Sequence, residues 1–261
     1  MRHMTLLLAA TLTAGLAAGS AQARDYSEIR LGIDLPYEPF MYRQPDGELT
    51  GFEIELGEAV CDYLEATCVW VEQDWDGIIP GLLARNYDGI MSSMAITEER
   101  AQRVLFSEPY YTTPSAWFSL QGREVDISDR DSLEGLVVGV QRATLQDNYV
   151  SELYGDLVEI RRYTSGDDVL NDLRAERLDL TFLDAPVAES RMDLEAEDSR
   201  FQRVSDFINQ PEHIFGQGVG VAFRPRDRDL AERFNEALAA LKEDGTYDAI
   251  MERYFNYDIK L

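Results

Sequence analysis

Along the chain, short apolar blocks of strand length alternate with longer stretches in which apolar residues recur every three to four positions. Ile29–Ile33 reads as a strand. In Phe52–Leu64, residues Phe52, Leu56, Ala59, Val60 and Tyr63 or Leu64 share one face, the pattern of an amphipathic helix. Cys68–Val71 is a strand, Trp75–Ala84 a helix containing Pro80, and Tyr87–Met91 another strand. The alternation then restarts, with strands at Val137–Val140, Val158–Arg162 and Leu178–Leu183 and helices at Leu145–Tyr154 and Gly166–Ala175. Leu230–Leu241 and Tyr247–Tyr254 are helices separated by Gly245, a natural helix stop. Such alternation predicts an α/β fold.

Two stretches correspond between the halves. Arg85 to Ser92 and Arg174 to Asp184 each run from a basic helix end through an Asp-led strand to polar residues at its carboxyl end. In open α/β sheets ligands sit beyond those ends. One half offers Ser92, Ser93 and, three residues past the candidate N-cap Thr97, Arg100. Free N–H groups and hydroxyls beside a guanidinium suit an anion, and the fork of Arg fits a carboxylate. Taken alone, an Arg in a first helical turn is more often a solvated charge. The other half offers Asp184, for which a plain turn before Pro186 is the competing reading. Carboxylate-binding groups facing a lone carboxylate are what an α-amino acid needs.

Met1-Arg2-His3, an apolar run from Met4 to Leu16, and Ala21-Gln22-Ala23 form a secretory signal with cleavage expected after Ala23, and no Cys that would take a lipid. Residues 1–23 are thus assigned to the signal, with export as the expectation. No later stretch is long and apolar enough to span a bilayer. The two cysteines, Cys61 and Cys68, read as a disulfide in an exported chain, worth roughly 2–3 kcal/mol for so short a loop. A disulfide has no thiolate for catalysis. The net charge is −25, with Lys242 and Lys260 as the only lysines. Nucleic acid and anionic membranes are poor partners for such a surface, and a salt-rich environment would favour it.

Several longer runs make the chain familiar: Ile33-Asp34-Leu35-Pro36-Tyr37-Glu38-Pro39-Phe40, Gly51 to Leu56, Trp75 to Leu82, Ser92 to Arg100, Phe106 to Tyr111, Val138-Gly139-Val140, Asp244 to Tyr247, and the Cys61–Cys68 spacing. In this order they resemble the family 3 periplasmic solute-binding proteins of ABC transporters, most of all the lysine/arginine/ornithine- and histidine-binding branch. The resemblance implies a type II periplasmic binding fold, in which two lobes are joined by crossovers near Tyr111–Ser115 and Asn209–Phe215. Residues 24–112 with 213–261 would form one lobe and residues 113–212 the other. It implies that Arg100, with Ser93 and a helix N-terminus, clamps the ligand carboxylate and that Asp184 takes the ammonium. Tyr37 and Trp75 would sandwich the side chain, and Asp34 would meet a positive group at its far end. Core packing is the bland alternative for both aromatic residues. Ser92, Ala95, Thr144 and Leu145 complete the expected lining. Ala95 and Leu145 stand where the branch has hydroxyl residues, with Thr144 a possible substitute.

The implied function is a monomeric receptor that binds a free, cationic amino acid and delivers it to an inner-membrane ABC permease, without cofactor or metal. An enzyme on the same scaffold, resembling a cyclohexadienyl or arogenate dehydratase, is the alternative. It would need an acid or base at the reacting carbon. Apart from His3 in the leader, His213 is the only histidine, and it falls in the second crossover. A sensing domain is disfavoured because no partner domain or membrane span adjoins the site. No Ser-His-Asp pattern, phosphate loop or metal cluster stands out.

Overall fold

A computed structural model describes residues 26–194 and 196–261; the expected signal and its cleavage point lie outside the described residues. The chain begins with β1 (Glu28–Ile33), the short hairpin β2 (Tyr42–Arg43) and β3 (Leu49–Thr50), α1 (Phe52–Tyr63), β4 (Thr67–Glu72), α2 (Trp75–Leu83), β5 (Gly89–Ile90), α3 (Glu98–Ala101) and β6 (Leu105–Phe106). A second unit follows: β7 (Ser115–Leu120), β8 (Val137–Gln141), α4 (Leu145–Tyr154), β9 (Glu159–Tyr163), α5 (Gly166–Arg174), β10 (Leu180–Asp184), α6 (Ala185–Met192) and β11 (Phe201–Arg203). After α7 (Glu212–Phe215) the chain returns to the first unit with β12 (Ala222–Phe223), α8 (Arg228–Glu243) and α9 (Thr246–Tyr254).

Each lobe is built on one mixed sheet, in the orders β4-β1-β5-β12-β6 and β11-β7-β10-β8-β9. Between the lobes the two connections run side by side, through the bridges Tyr111–Val219 and Ser115–Ile208. The second connection is not simply extended, because α7 lies within it and sends Ile214 and Phe215 into the core of the second lobe.

The correspondence between halves has a physical basis. Asp88 precedes β5 and Asp179 precedes β10. Each donates its N–H to the strand at its side, to Arg30 O and Val137 O respectively, at 2.8 Å in both cases. The two side chains return the contact, accepting from Arg30 N at 3.2 Å and from Val137 N at 2.7 Å. The turns before them both pass through left-handed backbone, at Arg85 (φ 69°) and Glu176 (φ 60°). These pairs fix the register of β1 with β5 and of β8 with β10, so the carboxyl ends of equivalent strands face the same cleft.

β7 had no counterpart in the sequence reading, although it sits between β11 and β10. Its residues Ser115, Ala116, Trp117, Phe118 and Ser119 are all buried, so it shows no apolar–polar alternation. The first lobe's core centres on Phe52, whose ring lies 5.5 Å from Tyr111, 5.7 Å from Tyr247 and 5.5 Å from Phe255 in edge-on geometry. Gly51 begins this helix at φ 128°, where a Cβ would meet the Phe40 carbonyl oxygen at 2.3 Å. The expected Cys61–Cys68 disulfide ties the end of α1 to β4.

Replacing Phe52 by Ala should remove four aromatic contacts at once, that to Phe40 included, from a fully buried site, lowering stability by about 3–5 kcal/mol. Equilibrium denaturant unfolding measures this directly, and a loss below about 1 kcal/mol would contradict the central place given to this ring.

Candidate ligand-binding site

Between the lobes lies a cleft of about 800 Å³, including its open mouth. From the first lobe it is lined by Asp34, Tyr37, Trp75, Ser92, Ser93 and Arg100, and from the second by Gln141, Thr144, Leu145, Gln146 and Asp184.

The first lobe brings the guanidinium. Thr97 caps α3, its hydroxyl accepting from Arg100 N at 3.3 Å. The Arg100 side chain donates to the Ala95 carbonyl at 3.0 Å and lies 5.2 Å from the centre of the Trp75 ring. Among the described residues it has no carboxylate in ion-pair contact, and burial pushes it down to about 10. The second lobe brings the opposite charge. Asp184 ends β10 and accepts from Gln146 Nε2 at 2.9 Å, Ser115 Oγ at 3.1 Å, Thr113 Oγ1 at 3.4 Å and the Tyr37 hydroxyl. Every one of these donors is neutral, and burial raises its carboxyl above the usual range. Asp34 is likewise pushed up, to about 6, first by burial and then, against the hydrogen bond from Gln141, by the neighbouring Asp74 and Asp76.

Polar contacts across the cleft hold the lobes together. Gln141 Nε2 donates to Asp34 Oδ2 at 2.9 Å, Trp75 Nε1 donates to Ala143 O at 2.9 Å, and the Tyr37 hydroxyl meets Asp184. At the rim, Arg142 pairs with Asp76 at 2.7 Å.

Residues 29–257 match the family model "Bacterial extracellular solute-binding proteins, family 3". The chain belongs to this family. It is similar to the L-arginine-binding protein of Pseudomonas aeruginosa, with 38% identity over 88% of this chain and 89% of that relative. It is 34% identical to the lysine/arginine/ornithine-binding periplasmic protein of Escherichia coli, over 97% of each. Among solved structures, an ancestral arginine-binding protein bound to arginine superposes with a TM-score of 0.80 at 30% identity, covering 88% of this chain and 99% of that one. The two-lobed, type II periplasmic binding fold expected from the motifs is therefore the fold of this family member.

Most of the expected lining residues converge on the cleft, but several differ in what they do. Ser92 is not a free donor, and the backbone N–H of Ser93 is already taken. Ser92 Oγ accepts from Asp34 N at 2.9 Å and donates to Met41 Sδ at 3.4 Å. Ser93 N donates to Glu53 Oε2 at 2.6 Å, and its hydroxyl meets Tyr111. Thr144 does not replace the hydroxyls missing at Ala95 and Leu145, because it caps α4: it donates to Gln141 O at 2.7 Å and accepts from Asp147 N at 3.1 Å. Ala95 is buried and does not line the cleft; only its carbonyl acts, on Arg100. Tyr37 and Trp75 face the cleft, with Tyr37 bonded to Asp184 and Trp75 covered by Arg100. His213 is exposed and lies 2.8 Å from Glu152.

Gln141, Gln146, Asp167 and Arg191 also line the cleft, and nothing in their local sequence marked them. Glu53, fully buried beneath the site, carried only a weak signal: an acid between the buried apolar residues Phe52 and Ile54. It accepts from Ser93 N and the Tyr110 hydroxyl, pinning a serine whose backbone is left-handed (φ 52°).

Burial pushes Glu53 from its ordinary 4.5 up to about 7, with hydrogen bonds from Tyr110, Ser93 and Tyr111 opposing. An acid raised in the folded state stabilises the fold fully below its unfolded value, and that contribution is lost as pH rises from 4.5 through 7. Glu53→Gln keeps an acceptor for Ser93 N without the ionisation. It should therefore melt higher than the wild type at pH 8, by on the order of 3 kcal/mol of stability, and lose that advantage near pH 5. Thermal unfolding of both proteins across this range would refute the assignment if the difference were independent of pH.

Proposed function

We propose that this protein is a periplasmic receptor that binds a cationic amino acid between its lobes and hands it to an ABC permease of the inner membrane. The observation that carries the reading is the pair of unneutralised buried charges. Among the described residues Arg100 has no carboxylate in ion-pair contact and Asp184 no cation, and they belong to opposite lobes of one cleft. A zwitterion satisfies both, its carboxylate on the guanidinium fork and its ammonium on Asp184. The first turn of α4, at Leu145 and Gln146, adds N–H groups for the carboxylate. The names of the similar proteins, which bind arginine, lysine, ornithine or histidine, support the same class of ligand.

The positive tail is read from Asp34, with Trp75 and Tyr37 on the cleft wall beside it. A receptor role needs recognition contacts on all sides of the ligand and closure around it, and the cross-cleft bonds of Trp75, Gln141 and Tyr37 support that use. Binding without turnover is part of the proposal: purified protein incubated with its best ligand should return that ligand unchanged. Conversion of a stoichiometric excess would point instead to an enzyme on this scaffold.

Two substitutions separate the roles. Arg100→Ala should weaken every amino-acid ligand by about 2–5 kcal/mol, since it removes a clamp common to all of them. Asp34→Asn should weaken arginine, lysine and ornithine while sparing glutamine. A cation favours ionised Asp34, so affinity for arginine should fall as pH drops from 7.5 to 5, through the value near 6, and Asp34→Asn should remove most of that slope. Calorimetric titration at several pH values reads all three effects. Equal weakening of charged and neutral ligands by Asp34→Asn would overturn the cationic assignment and leave the receptor role standing.

A further inference from the structure

Gln141 ends β8 in the second lobe and is 7% exposed, yet it lines the cleft. Both hydrogens of its amide are committed. Nε2 donates to Asp34 Oδ2 across the cleft at 2.9 Å and to Thr164 O within its own lobe at 3.0 Å. Two donor bonds in different directions lock the plane of the amide. The remaining polar atom, Oε1, accepts no hydrogen bond among the described residues. With Gln141 lining the cleft, that carbonyl is left to meet a donor that enters from the cleft. The same bond leaves Asp34 with part of its acceptor capacity still unused. The far end of the cleft therefore carries two acceptors of different kinds, a carboxylate from one lobe and a neutral carbonyl from the other.

We propose that Gln141 is a specificity-determining residue that makes this end of the cleft select a guanidinium over an ammonium. The inference rests on the cationic reading of the site. A guanidinium presents five N–H groups in a flat, fixed fork, so it reaches two separate acceptors at once. An ammonium is a compact, strongly hydrated charge that is served by the carboxylate alone and gains little from a second, neutral acceptor. Because the second acceptor arrives from the opposite lobe, the discrimination exists only when the lobes are closed. Recognition of the tail is thereby tied to closure through the Gln141–Asp34 bond.

The test uses the full-length mature protein and two probes, L-arginine and L-lysine, titrated by calorimetry against the wild type and Gln141→Met, which keeps the length of the side chain and removes the amide. The wild type should bind arginine at least tenfold more tightly than lysine. In Gln141→Met, arginine affinity should fall by roughly 10- to 100-fold, the range for losing a hydrogen bond to a charged group, and lysine affinity by less than about threefold. Thermal unfolding checks that the variant folds. If it does not, Gln141→Asn, which withdraws the amide by one methylene, carries the same comparison. Equal losses for the two ligands would overturn the proposal by reducing Gln141 to a closing contact, as would an arginine-to-lysine ratio unchanged by the substitution. A wild type that binds neither probe overturns the cationic reading and this inference together, whereas one that binds both with an insensitive ratio overturns this inference only.

Discussion

Two opposite charges are kept in one low-dielectric cleft without being allowed to meet, and the rest of the molecule is arranged around that constraint. Arg100 and Asp184 sense each other's field but are not an ion pair. Each is anchored by neutral groups instead, Arg100 by the Ala95 carbonyl and the Trp75 face, Asp184 by Tyr37, Ser115 and Gln146. Direct pairing would neutralise both and remove the reason for a zwitterion to enter. Separation by the cleft keeps each charge in need of a partner, which is the physical source of both affinity and specificity in such a site.

Holding the charges apart requires two rigid frames, and the repeated strand–helix–strand unit supplies them. In each lobe an aspartate before the central strand locks it to its neighbour, Asp88 on β1 and Asp179 on β8. The polar residues that follow are then delivered to the cleft at a fixed height. Within the first lobe, beneath the site, Glu53 and the tyrosines Tyr110 and Tyr111 fix the Ser93 turn in an unfavourable backbone conformation. These groups support the site from below and do not line it.

Closure joins the two frames through polar contacts that combine neutral donors with charged acceptors. The bonds of Gln141 to Asp34 and Tyr37 to Asp184 place the second lobe's recognition groups in register with the first lobe's. The rim pair of Arg142 and Asp76 is exposed and hence weaker and sensitive to salt, a property of some weight in a chain with a net charge of −25.

The α/β alternation, the matching halves, the disulfide partners and the charged pair Arg100 and Asp184 were all legible in the sequence, because each depends on local periodicity, on turn chemistry or on an ordered motif. Thr97 was recognisable as a cap for the same reason: capping is decided within four residues. Hydrogen-bond ownership was not legible, because it depends on which atoms arrive from distant segments. The Ser93 N–H is claimed by Glu53, forty positions earlier, and Thr144 by its own helix. Gln141 becomes significant only because closure sets it against Asp34, 107 positions away. Sequence alone determined which charges the site holds; the tertiary structure decided which of its polar atoms are already satisfied and which are left to meet a ligand, since satisfaction is a property of the assembled neighbourhood.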